Sequence, residues 1–190
     1  MGAFPSLIIR ANELIPQGTF AKAQAVFLNP QQSEVELLDQ MLRRGKIGVV
    51  SHFYMDAELQ GILSACSWEH IQISDSLAMA DCAVDMAKAG VNSIVVLGVD
   101  FMSENVRAVL DAAGLHKIPV YRVVTREIGC SLADAAEATA YGAWLDKAQK
   151  SHNPLHVIYI NTSLQVKARS HAKVPTITCT SSNVVQTLLQ

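Results

Sequence analysis

The chain has 190 residues, 50% hydrophobic and 17% charged, with a formal net charge of −2. That is enough for one domain and part of another. The near-neutral balance gives no electrostatic basis for binding nucleic acid or an acidic membrane, and no apolar run approaches the ~18 residues of a membrane span. Four widely spaced cysteines, Cys66, Cys82, Cys130 and Cys179, form no C-x-x-C pair. Their spacing argues against disulfides and ordinary zinc sites and fits a reducing compartment.

The N-terminal Met1-Gly2-Ala3-Phe4-Pro5-Ser6 matches the myristoylation pattern. So short a pattern is read as a chance match, and the segment has neither a transit-peptide nor a signal-peptide shape. Residues 1–32 carry Pro5, Pro16 and Pro30 and no clear period. They are expected to be an extended lead-in with one short helix near Phe20 to Phe27.

Ser33 is expected to cap a helix running to Arg44, with Val35, Leu38, Met41 and Leu42 on one face and Gly45 ending it. Strands and helices then alternate. The predicted strands are Ile47–Tyr54, Ile71–Ser74, Ser93–Val99 and Val120–Val124. The predicted helices are Ala57–Ser67, capped by Asp56, Leu77–Ala89, one capped by Ser103 and ending near Gly114, and Ala133–Lys150. Alternation at this spacing predicts an α/β fold of αβα layers, a parallel sheet covered by helices on both faces.

Ser151-His152-Asn153-Pro154 reads as a junction. After it the pattern restarts with strand His156–Asn161, helix Ser163–His171, strand Thr176–Thr180 and a helix from Ser182. The expected organisation is a lead-in over 1–32, a first αβα domain over 33–152 and the start of a second over 153–190. Two βα units rarely bury a sufficient core alone, so the natural protein is expected to be longer.

Each predicted strand ends in chemistry-bearing residues. The first delivers His52 and Tyr54, which at i and i+2 would share one strand face. The second leads to Ser74-Asp75-Ser76 beside a helix N-terminus, a setting suited to phosphate or carboxylate. The third leads to Phe101, Met102 and Glu104, and the fourth to Cys130 in a loop after Gly129. The fifth gives Tyr159, Asn161 and Ser163, and the sixth Thr180, Ser181, Ser182 and Asn183. Parallel strands place all these ends on one side, so together they predict a pocket for a small anionic ligand with an acid–base pair at hand.

Each residue alone also has a structural reading. Serine and asparagine after a strand commonly cap helices, a lone histidine is more often structural, and Phe101 and Met102 are most simply core or pocket wall. Cys66, Cys82 and Cys179 fall in helical or strand stretches and read as packing residues, whereas Cys130 stands in a loop. A Ser/His hydrolase is disfavoured, because no G-x-S-x-G elbow occurs.

The motifs Ser51-His52-Phe53-Tyr54-Met55-Asp56, Ile73-Ser74-Asp75-Ser76-Leu77, Gly98-Val99-Asp100-Phe101-Met102-Ser103-Glu104, Gly129-Cys130-Ser131-Leu132, Tyr159-Ile160-Asn161-Thr162-Ser163 and Thr180-Ser181-Ser182-Asn183 occur in that order. Together, from about Ala21 onward, they resemble quinolinate synthase, most closely its plant and plastid form. The resemblance implies three αβα domains around a pseudo-threefold axis, with one cysteine from each holding a [4Fe–4S] cluster whose open iron acts as a Lewis acid. It implies condensation of iminoaspartate with dihydroxyacetone phosphate to quinolinate for NAD biosynthesis, cluster-assembly or sulfur-transfer partners, compatibility with a homodimer, and a plastid location. Without the resemblance, a cytoplasmic location would be expected.

By matching motifs, Cys130 would be the first domain's cluster ligand. His52 and Tyr54 would touch substrate and move protons, with Tyr159 a second candidate acid. Ser76 and Ser181 would hold carboxylate or phosphate. Tyr159, Ile160 and Asn161 would line the same pocket, Phe101 and Met102 would form its wall, and Glu104 would stand behind it. One thiolate cannot hold a cubane alone, so this chain by itself is expected to bind no stable cluster and to be inactive. A reading of another class is a non-catalytic αβα module binding a phosphorylated or dicarboxylate metabolite.

Overall fold

A computed structural model describes residues 6–27 and 29–189; most of the N-terminal myristoylation-like pattern, Met1 to Pro5, lies outside them. The expected lead-in is more regular than its sequence suggests. β1 (Ser6–Arg10) and β2 (Glu13–Gln17) pair antiparallel across Ala11 and Asn12, in register from Arg10 opposite Glu13 to Ser6 opposite Gln17. α1 (Thr19–Val26) follows where a short helix was expected. It approaches the later helix α3 (Ala57–Ala65) closely, because a Cβ on Gly61 would lie 2.0 Å from the Phe27 carbonyl oxygen.

α2 (Gln32–Gly45) starts one residue before Ser33, so Ser33 is not its cap; Gln31 takes that position without a side-chain bond. The helix stops at Lys46, which turns left-handed at φ 48°, while Gly45 remains helical. Val35 and Leu42 are buried as expected, but Met41 is 60% exposed. Neighbouring helix residues lie about 100° apart, and the stripe that buries Val35 and Leu42 leaves Met41 on its solvent side.

β3 (Ile47–His52), β4 (Ile71–Ser74), β5 (Ser93–Leu97) and β6 (Val120–Arg122) form a parallel sheet in the order β4-β3-β5-β6. α4 (Ser76–Lys88) and α5 (Asp100–Ala112) are the crossovers flanking β5. Alternate strand residues face opposite layers. Val49 and Leu97 pack with Leu42 of α2 and Leu63 of α3, whereas Val50 and Val96 pack with Met79 of α4 and Val106 and Leu110 of α5. The result is the expected αβα layering with a parallel sheet at its centre. Leu110 is fully buried in the larger cluster. Leu110→Ala is expected to destabilise the fold by about 2–5 kcal/mol, read from the denaturation midpoint at unchanged slope; a loss under about 1 kcal/mol would contradict this packing.

The single helix expected over 133–150 is two helices, α6 (Ser131–Ala136) and α7 (Thr139–Ala148). They part at Glu137, whose carboxylate accepts from Ser163 Oγ (2.6 Å) and pairs with Arg169 (2.8 Å). β7 (His156–Tyr159) and β8 (Thr176–Cys179) pair parallel in a separate two-stranded sheet, with α8 (Leu164–Lys173) between them and α9 (Val184–Leu189) after β8. This unit packs on the first through Ile160, which joins the Val50–Met79–Leu110 cluster. It also packs through contacts of α8 with α5 and α7.

Candidate functional site

Strand order turns around between β3 and β5: the chain leaves β3 for one edge of the sheet and later leaves β5 for the other. The crevice beyond the carboxyl ends of strands at such a reversal is where open α/β sheets bind ligands. A cavity of about 260 Å³ lies there. Its walls come from the ends of β3, β4 and β5, from Cys130, and from the ends of β7 and β8.

β3 ends at His52 rather than at Tyr54, so the two side chains do not share a strand face. Residues 53–55 form a turn, closed by the Met55 N–H donating to the His52 carbonyl (3.0 Å). His52 is buried, and its Nδ1 accepts from the Tyr54 backbone N–H (3.2 Å). Tyr54 is 82% exposed, and its ring meets the His52 ring edge-on at 4.8 Å. Both still line the cavity. Burial lowers the His52 pKa, partly opposed by the negative charge of Asp75.

Asp75 caps α4, accepting from the Leu77 (2.8 Å) and Ala78 (3.0 Å) amides. With those amides taken, Ser76 presents the helix start to the cavity while only 4% exposed. At the end of β5, Gly98 permits a close approach, since a Cβ there would lie 2.4 Å from Met102 Sδ. Met102 thereby becomes wall. Phe101, one helix step round, does not line the cavity; it is 4% exposed in the core, with the Lys167 ammonium 5.7 Å from its ring centroid. Glu104 is also away from the cavity, its Oε2 accepting from the Leu164 N–H at the start of α8 (3.0 Å).

α5 begins at Asp100, not after Ser103, whose Oγ donates to the Asp100 carbonyl. Asp100 exchanges two bonds with Ile128: its N–H donates to the Ile128 carbonyl (3.1 Å), and its Oδ2 accepts from the Ile128 N–H (3.1 Å). Its carboxylate also pairs with Arg122 of β6. These contacts fix the loop that ends at Cys130. The thiol is half-buried on the cavity wall and accepts from Asn161 Nδ2 at 3.6 Å. Asn161 lies on the turn after β7. Lys167 holds that turn, its Nζ donating to the Ile160 (2.9 Å) and Thr162 carbonyls. Burial pulls Lys167 down to about 8, with Glu104 opposing.

Tyr159 and Ile160 line the same wall, Tyr159 half-exposed and Ile160 buried. Ser181 lines the rim from an exposed turn. The polar groups around it are not free donors at a helix start. The Thr180 N–H donates to Asn183 Oδ1 (2.7 Å), Thr180 and Ser182 hydroxyls lie 2.6 Å apart, and α9 begins only at Val184.

The cavity thus gathers His52, Tyr54, Ser76, Met102, Cys130, Tyr159, Ile160, Asn161 and Ser181, and leaves out Phe101 and Glu104. Sequence reasoning missed the residues that hold these in place. The Asp100–Arg122 pair and the Lys167 clamp bridge residues distant in the chain or act on backbone carbonyls, and neither leaves a motif. Cys66, Cys82 and Cys179 line no part of the cavity, and burial raises their thiol pKa values. Among the described residues, no group of three or more His, Cys, Asp or Glu side chains could hold a metal ion.

The family model described as "Quinolinate synthetase A protein" matches residues 36–190. The chain is 61% identical over 189 residues to a protein of Arabidopsis thaliana named "Quinolinate synthase, chloroplastic", covering 98% of this chain and 26% of that protein. It is 62% identical over 190 residues to a protein of the same name from Oryza sativa subsp. japonica, covering 98% of this chain and 27% of the relative. A bacterial "Quinolinate synthase" from Trichormus variabilis is 31% identical over 155 residues, covering 80% of this chain and 40% of the relative. The chain therefore spans about a quarter of the length of its plant relatives. The family match takes in the whole four-stranded sheet and every lining residue discussed above, from His52 to Ser181, and on that ground the chain belongs to the quinolinate synthase family.

Proposed function

We propose that this chain supplies part of the active site of a plastid quinolinate synthase, which condenses iminoaspartate with dihydroxyacetone phosphate, losing phosphate and water, in NAD biosynthesis. The observation that carries the reading is the meeting of one thiol, one buried histidine, two tyrosines and two serines in a single cavity at the strand-order reversal. In this reading residues 33–152 are a first αβα domain, 1–32 its lead-in, and 153–190 the beginning of a second. A homodimer and sulfur-transfer or cluster-assembly partners belong to the same proposal.

Cys130 suits one position on a [4Fe–4S] cluster: it is the one thiol on the cavity wall among the described residues, and an amide N–H already points at its sulfur. When bound, the cluster would supply a Lewis-acid iron that polarises a substrate oxygen. The chain's own residues do the rest. Ser76 and Ser181 donate hydroxyl bonds to carboxylate or phosphate oxygens. His52 Nε2 has no hydrogen-bond partner among the described residues and offers its N–H to the ligand. Tyr54 and Tyr159 stand on two walls of the cavity as proton donors or acceptors. Met102 and Ile160 exclude water from one side.

The competing reading, a non-catalytic αβα module for a phosphorylated or dicarboxylate metabolite, uses the same serines and leaves the thiol and histidine without work. Anaerobic assay of the protein carrying this chain at full length separates the two. Oxygen-sensitive quinolinate formation supports the synthase; metabolite binding without turnover, by protein that takes up no cluster under the same anaerobic loading, supports the module. Ser76→Ala is expected to raise KM for the anionic substrate roughly tenfold or more, since a hydrogen bond to a charged group is worth about 1.5–3 kcal/mol. An unchanged KM would remove Ser76 from the binding set.

A further inference from the structure

Outside the cavity, on the second turn of α3, the half-buried Gln60 reaches the turn that follows β3. Its Nε2 donates to the Phe53 carbonyl (2.9 Å) and to the Met55 carbonyl (2.6 Å). Both partners are acceptors, so only the NH2 end of the amide fits there. The helix that carries Gln60 is itself fixed at its start. Asp56 accepts from the Glu58 N–H (2.9 Å), and the Gln60 N–H donates to the Asp56 carbonyl (3.0 Å).

The Phe53 carbonyl and the Tyr54 N–H belong to one planar peptide unit and point in opposite directions. Anchoring the carbonyl to Gln60 therefore aims the N–H, which donates to His52 Nδ1 at 3.2 Å. A backbone N–H can only donate, so Nδ1 must carry its lone pair and a neutral imidazole must keep its proton on Nε2. Nε2 is the nitrogen without a partner among the described residues. Without Gln60 the Phe53 carbonyl loses its side-chain donor, and only the neighbouring backbone bonds, Phe53 N–H to the Ser74 carbonyl and Met55 N–H to the His52 carbonyl, still restrain this peptide plane, so Nδ1 is less firmly supplied with its donor.

We propose that Gln60 is a positioning residue that sets the tautomer of His52, so that the ring offers the cavity an N–H rather than a lone pair. The proposal rests on the reading that His52 meets the substrate, and it assigns His52 the role of hydrogen-bond donor to a substrate oxygen at the start of the reaction.

The test is nitrogen NMR of the whole chain labelled with 15N-histidine, with His52→Asn to assign the signal. In the unmodified chain, His52 should show a pyridine-like Nδ1 and a protonated Nε2. Gln60→Glu keeps the size but has no N–H to donate, and Gln60→Leu removes the polar end. Both should raise the Nδ1–H population several-fold and lower hydrogen-exchange protection of the Tyr54 amide about tenfold, as expected for one lost hydrogen bond. Gln60→Lys keeps a donor and should restore the original pattern. Helix content should change little, because the start of α3 is fixed by Asp56 and not by the Gln60 side chain. Unchanged His52 shifts and Tyr54 protection in both Gln60→Glu and Gln60→Leu would overturn the proposal. The readout needs neither substrate nor cluster. Its failure would leave the synthase reading standing, while an intact tautomer in a full-length protein without quinolinate formation would count against that reading alone.

Discussion

In the synthase proposed above, Cys130→Ser is expected to prevent binding of the proposed [4Fe–4S] cluster and to cut quinolinate formation about 100-fold or more, because Lewis-acid polarisation is worth several kcal/mol. Among the described residues no other thiol can take over. Cys66, Cys82 and Cys179 lie away from the cavity, and burial disfavours the thiolate form that ligation requires. Serine preserves the side chain's size and leaves the Asp100–Ile128 clamp on its loop intact. The loss should therefore appear in iron content and the visible charge-transfer band, not in folding. A Cys130→Ser protein with full iron content and full activity would withdraw the ligand assignment.

His52→Ala in the same protein is expected to lower kcat about 10²–10⁴-fold, the usual range for a positioned proton-transfer group. His52→Gln, which keeps an N–H donor near the Nε2 position, should recover part of that loss. A KM effect with kcat unchanged would reduce His52 to a binding group. The pH dependence has a definite sign. The folded state depresses the His52 pKa through burial, so it favours the neutral ring. The stability this contributes is fully present above the unfolded pKa of about 6.5 and is lost as pH falls through that value toward the lower folded one. Only as pH falls through the lower folded value does Nδ1 itself take up a proton and cease to accept from Tyr54, so the acid-side fall in activity should lie below the ordinary histidine range.

The sheet was legible in the sequence because its strands are short apolar runs separated by helices of matching length. Ile47 to Val50 and Ser93 to Leu97 carry that signal themselves, and the parallel sheet follows from the alternation. The ends were less legible. β6 is shorter than the strand expected over Val120–Val124 because Val123 and Val124 continue outward into solvent, at 67% and 39% exposure. The β1–β2 hairpin was missed because its turn, Ala11-Asn12, lacks the glycine that marks two-residue loops, and because Pro16 argues against a strand. In an isolated two-stranded ribbon, every position is an edge position, and a proline is tolerated there. The paired runs Leu7-Ile8-Ile9 and Leu14-Ile15 were the available signal.

The candidate site divides along similar lines. Residues directly after strands, such as His52, Ser76 and Asn161, could be placed on one rim from the topology alone. Phe101 could not be told from Met102, because the difference is one step of helix phase. Gln60, Asp100 and Lys167 act through backbone atoms brought near by the fold, so no residue pattern announces them.

Everything rests on the four-stranded sheet and the β7–β8 unit contributing to one cavity, with Cys130 on its wall. A nitroxide attached to Cys130, with Cys66, Cys82 and Cys179 replaced by alanine, tests this in the chain itself through line broadening of backbone amides. Strong broadening is expected at His52 to Met55, Ser76 to Ala78, Asn161 to Thr162 and Ser181 together, and far less at Arg44 to Lys46 and Gly90 to Asn92, beyond the opposite, amino ends of β3 and β5. Full-intensity signals at Asn161, Thr162 and Ser181 beside broadened ones at His52 and Ser76 would contradict it.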